Sequence, residues 1–142
     1  MTEFASYDVV APSPFALSLH HVQLCLPPGA EDACRAFWVG DLGFTELRKP
    51  PELAKRGGLW VRAGALEIHL GVEAEFVPAR KAHPGILAGS LDALAALAAR
   101  LTERGHAVTW DDAFPGMRRF YVNDPAGNRL EFLCPDGTAS AW

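Results

Sequence analysis

Five histidines and a glutamate hold most of the chemistry that this 142-residue chain can offer, and their spacing is regular. Sliding the second half of the chain back by sixty-two positions lays His83 on His21, Gly105 on Gly43 and Glu131 on His69. An internal repeat constrains architecture before any local assignment is made. Three imidazoles and one carboxylate at matched places of a repeated unit suit one first-row divalent ion (zinc, nickel, iron or manganese) and leave positions free for substrate. Such an ion polarises a carbonyl, binds an enediolate or lowers the pKa of bound water. Glu131 lies among apolar neighbours, where a carboxylate needs a partner, so it is the candidate both for ligation and for proton transfer.

These donors need strands to hold them. Leu17 to Leu26 (LSLHHVQLCL) alternates and ends at Pro27-Pro28-Gly29, which reads as a strand followed by a turn. A helix is expected from Glu31 to Leu42, stopped by Gly43, then a short strand to Arg48, a loop, and a hairpin of Leu59 to Arg62 with Ala65 to Leu70. The second half repeats the order: His83 to Gly89 as a strand weakened by Pro84, and a helix capped by Ser90 with Leu94, Leu97, Ala98 and Leu101 on its inner side. Strands at His106 to Trp110, Arg118 to Asn123 and Arg129 to Leu133 complete it. The expected fold is α+β, with two βαβββ modules forming a cupped, mostly antiparallel sheet around a ligand cavity. The expected organisation is an arm over 1–16, a module over 17–70, a linker over 71–82, a second module over 83–135 and a tail over 136–142.

Strand side chains alternate between faces, and this sorts the candidates. His21 shares a face with Gln23 and Cys25, whereas His20 falls with Val22, Leu24 and Leu26 and reads as a bystander packed beneath the helix. In the hairpin strand Glu67 and His69 share one face; the repeat favours His69, and Glu67 enters if the register slips. Arg119 and Tyr121 fall opposite Phe120 and Val122, so with Gln23 and Trp60 they are the expected substrate-pocket lining. His106, just past Gly105, reads as a capping or surface residue.

Composition sets the limits. Hydrophobic residues make up 49% and charged residues 21%, a globular balance. A net charge of −4 without a basic stripe argues against nucleic acid as a partner, and no apolar run reaches membrane-spanning length. The first fifteen residues lack a basic n-region, so no secretory signal is expected. Cys25, Cys34 and Cys134 form an odd set without CxxC spacing, which suits a reducing cytoplasm. The exposed edges of small sheets favour a homodimer.

The strings HHVQL, FWVGDLGF, LEIHLG, HPGILAGSLDAL and RFYVNDPAGNRLEF, from about Leu17 to Pro135, resemble the vicinal oxygen chelate superfamily of glyoxalases, fosfomycin transferases, extradiol dioxygenases and bleomycin-binding proteins. The resemblance implies paired βαβββ modules around a metal, with its first-strand histidine at His21, its second-module histidine at His83 and its last-strand glutamate at Glu131. His69 falls where glyoxalase I has a carboxamide or carboxylate ligand. Tyr121 matches a pocket tyrosine of fosfomycin enzymes, but their potassium loop and late arginine have no counterpart. The implied function is a small metal-dependent lyase or isomerase of the glyoxalase type, acting on a small substrate that chelates the metal through neighbouring oxygens. A non-haem iron dioxygenase and a ligand-sequestering protein like those of bleomycin resistance are the alternatives. Relatives usually pair, some by exchanging modules, so the four ligands come from one chain or from two.

Overall fold

Apolar residues alternate from Val22 to Leu26 and from Leu66 to Val72, and in the computed structural model, which describes residues 10–138, these runs lie side by side as parallel strands β1 (Val22–Leu26) and β4 (Leu66–Val72). β3 (Leu59–Ala63) pairs antiparallel with β4, and β2 (Thr45–Leu47) closes the sheet in the order β1-β4-β3-β2. The second half builds the same sheet from β5 (Gly85–Leu87), β6 (Thr109–Asp111), β7 (Met117–Asn123) and β8 (Arg129–Pro135), in the order β5-β8-β7-β6. The two four-stranded sheets stay separate and do not close into a barrel. The expected α+β class holds. Residues 1–9 of the expected arm and 139–142 of the expected tail lie outside the described residues.

Each sheet buries one face under a helix. In the first, register places Val22, Leu24, Leu59, Val61, Ile68 and Leu70 on the same side. Against them sits α1 (Glu31–Arg35), which continues as a π-helical segment from Ala36 to Asp41 and buries Phe37 and Trp38. The wider winding shows in the bond from Leu42 N–H to Phe37 C=O, five residues back. Gly43, at φ 78°, takes the left-handed conformation that ends the segment. In the second sheet Ile86, Phe120, Val122, Leu130 and Phe132 face α3 (Leu91–Glu103), whose Leu94, Ala98 and Leu101 are buried. One apolar core runs through both halves.

Polar contacts between distant parts of the chain lock the halves together. The Asp41 carboxylate accepts from Arg104 and His106 (3.2 and 2.8 Å), and the Gly40 and Asp41 carbonyls accept from the Arg100 guanidinium. The His106 ring sits edge-on to Phe37 at the junction (4.9 Å between centroids), while its backbone N–H caps α3 by donating to the Leu101 carbonyl (2.9 Å), as expected of a residue just past Gly105. Trp38 Nε1–H donates to Asp124 (3.2 Å), and Asn128 Nδ2 donates to the Cys25 carbonyl (2.8 Å). The Asp124-Pro125-Ala126-Gly127-Asn128 turn is thus also a seam. Burial pushes the Asp124 carboxyl up, against hydrogen bonds from Asn128, Trp38 and Ala126 that hold it down.

Several sequence expectations change. β1 begins at Val22 and not at Leu17, so His20 has no strand beneath it; its side chain is 79% exposed instead of packed under the helix. Pro50 and Pro51, read as loop, open a one-turn helix α2 (Pro51–Ala54), because proline fits the first helical position. β5 shrinks to three residues after Pro84. In the expected linker Val77 is exposed, while Phe76 is half-buried.

Candidate metal centre

The faces away from the helices carry the polar residues. On the first sheet, register sets Trp60 opposite His69, Arg62 opposite Glu67 and Gln23 beside His69. His69 and Glu67 are both nearly buried, and His69 Nε2 lies 2.7 Å from Glu67 Oε2. Arg62 binds the other carboxylate oxygen through Nε and Nη2 (2.9 and 2.6 Å). These hydrogen bonds, the one from Arg62 foremost, hold the Glu67 carboxyl down to about 2. The His69 ring stacks on Trp60 on one side (4.1 Å, 6°) and on His21 on the other (3.9 Å, 14°). His21 lies just before β1, and the three-ring stack fixes its plane.

On the second sheet, β7 and β8 bring Tyr121 opposite Glu131. His83 Nδ1 lies 2.6 Å from the Lys81 carbonyl, an acceptor, so Nδ1 carries the hydrogen and donates. Its Nε2 then faces Glu131 Oε2 at 3.0 Å, a contact that a proton or a metal ion between them would satisfy. Arg119 donates to the other Glu131 oxygen (3.0 Å) and to Asp111 (2.9 Å). A backbone hydrogen bond from Ala113, then Arg119, holds the Asp111 carboxyl below its usual range. The Tyr121 ring meets His83 edge-on (5.3 Å), and the Arg129 guanidinium lies 4.1 Å from the Tyr121 ring centre.

The four donors expected from the repeat thus stand as two pairs, His21 with His69 and His83 with Glu131. Among the described residues no three of them come within reach of one ion; the cluster that does so is His20, His21 and Glu67. Arg119 and Tyr121 stand beside the second pair and Trp60 beside the first. Gln23 lines a cleft of about 420 Å³ together with Val22, Leu24, His83, Asn128 and Arg129. Sequence reasoning missed Arg62, whose place opposite Glu67 depends on the hairpin register, and set His20 aside on strand parity that does not extend to it.

The glyoxalase/bleomycin resistance protein/dioxygenase superfamily model matches residues 18–132. The chain belongs to this superfamily. A crystal structure of a glyoxalase family protein from Bacillus anthracis is 42% identical to it, covering 84% of this chain and 96% of that one at a TM-score of 0.79. TnmS3, an antibiotic binding protein from Streptomyces sp. CB03234, is 25% identical over 84% of this chain and 99% of its own, with a TM-score of 0.63. Lactoylglutathione lyase from Agrobacterium tumefaciens, at 20% identity and a TM-score of 0.60, covers 80% of this chain and 91% of its own and shares the fold. A search of curated proteins gives no match. Superfamily members are typically metal-dependent, and the donor chemistry here fits a metal: imidazole and carboxylate pairs, with the His83 ring oriented through Nδ1 as in metal-binding histidines.

Proposed function

We propose that this superfamily member is a small metal-dependent enzyme of the glyoxalase type, with His21, His69, His83 and Glu131 as the ligands of one divalent ion. The observation that carries this reading is the facing of His83 Nε2 and Glu131 Oε2 at 3.0 Å with the ring anchored through Nδ1. When bound, the ion supplies Lewis-acid polarisation of a substrate carbonyl through two neighbouring oxygens. Glu131 moves a proton at its Oε2, while Arg119 attracts an anionic group and Tyr121 lines the pocket beside them. Because the four donors stand as separated pairs within one chain, each site draws one pair from each of two chains in a homodimer. The domain limits fit this: a module over 17–70 and one over 83–135, joined by a linker over 71–82, can each pair with the partner's opposite module.

Metal analysis of protein purified without chelator tests the reading. His21→Ala, His83→Ala and Glu131→Ala should each remove most bound metal, whereas His106→Ala, at the module junction, should leave it in place. Metal retained at the parent level in all three ligand variants would sink the assignment. Iron would favour the dioxygenase alternative; nickel or zinc fits the lyase.

A second reading has its own support. Both buried glutamates already carry an arginine, Arg62 on Glu67 and Arg119 on Glu131, which neutralises charge that a cation would otherwise neutralise. With the likeness to an antibiotic binding protein, this favours a ligand-sequestering protein if metal analysis returns none.

A further inference from the structure

The four-donor reading leaves His20 unused, and its position is the least explained in the molecule. Its Nδ1 faces His21 Nδ1 at 3.0 Å, lies 3.9 Å from Glu67 Oε2, and its ring is edge-on to His21. Donor atoms of all three residues lie within 4.8 Å of one another. We propose that His20, His21 and Glu67 form a divalent transition-metal site within a single chain. It shares His21 with the four-donor site but does not rest on that reading.

The distances suit an ion. With metal–ligand bonds of about 2.1 Å, the corners of a tetrahedron stand about 3.4 Å apart, and those of an octahedron somewhat closer. The observed 3.0 and 3.9 Å bracket that edge, and the third separation, His21 to Glu67, lies within 4.8 Å, so small shifts of the exposed His20 and His21 rings complete the geometry. Two donors are held in place beforehand. His21 is stacked against His69, itself stacked on Trp60. Glu67 is nearly buried, with one oxygen tied to Arg62 and the other, the one nearest the histidines, steadied by His69 Nε2. A hydrogen bond from outside the coordination shell is how metal-ligating carboxylates are usually oriented. Two imidazoles and one carboxylate on the open side of a sheet leave several positions to water or an external ligand. His20, 79% exposed, is the arm that closes the set.

The test uses the full-length chain, stripped of metal and titrated with Zn²⁺ by calorimetry, in a His83→Ala/Glu131→Gln background that removes the other pair of donors. One Zn²⁺ per chain should still bind there on titration, more weakly than in the parent. Adding His20→Ala, or separately Glu67→Gln, should weaken that binding by at least about tenfold. His20 is exposed, so its alanine variant should keep the parent's thermal midpoint; this keeps the test decisive if the Glu67 variant fails to fold. No Zn²⁺ binding in the background, or binding unmoved by His20→Ala, would overturn the site. Parent-like affinity in the His83→Ala/Glu131→Gln background would count against the four-donor reading and support this one.

Discussion

Glu131 is held from two sides, by His83 at one oxygen and Arg119 at the other, in a setting only 6% exposed. Removing Arg119 would strand a buried carboxylate, so Arg119→Met should cost about 1–3 kcal/mol of stability. Glu131→Gln in the same chain should recover part of that loss, and urea unfolding of the four chains of this cycle measures it. Strict additivity would mean that the pair is not coupled. Cys34 gives a pH signature. Burial and then the Asp124 charge push its thiol up to about 12, from an unfolded value near 9.0. The folded state therefore holds this proton more tightly. Its contribution is complete below pH 9 and is lost as pH rises from 9 towards 12. The urea midpoint should fall over that window, and less steeply in Cys34→Ala. At this scale the sequence was readable where a strand enforces alternation, as for Arg119 and Tyr121 on β7. It misled at His20, where the strand begins two residues later.

The longest helix was legible because its apolar residues recur at helical spacing behind a capping serine. Ser90 Oγ accepts from Ala93 N–H at 3.0 Å, and Ser90→Ala should cost about 1 kcal/mol, read from the urea midpoint. Two glycines beside β3 should respond very differently to alanine. Gly64, at φ 58° in the hairpin turn, has open space where a Cβ would go, so Gly64→Ala should cost about 1–2 kcal/mol of left-handed strain. Gly58, at φ 77°, would drive its Cβ into the Leu70 carbonyl oxygen across the β3–β4 ladder. Gly58→Ala should lose several times more stability or fail to yield soluble protein; equal midpoints for the two variants would contradict this packing. The π-helical segment escaped sequence reading because one wider turn leaves no period of its own. α2 escaped because a pair of prolines reads first as a break.

For the whole molecule, the repeat disclosed the two βαβββ modules, while the strand order that their sheets share, with first and last strands parallel, emerged only in the structure. The seam between the halves stayed hidden. Asp41 meets Arg104 and His106, and Trp38 meets Asp124, across sixty or more residues, and such pairs leave no periodic trace. On the proposed assembly, sedimentation at micromolar concentration should report about twice the 15.3 kDa chain mass. The seam has a consequence for inheritance of activity. A core continuous through both halves carries the two donor pairs of one chain as a unit, and the proposed pairing assigns them to different cavities. Damage to one pair would then leave the other fit for service in a foreign cavity. A chain with His21→Ala and a chain with His83→Ala, each inert alone, should complement when co-expressed. Random association would give about a quarter of the parent's intact sites, as half the dimers hold one good site of two. Two defective alleles would together yield a working protein.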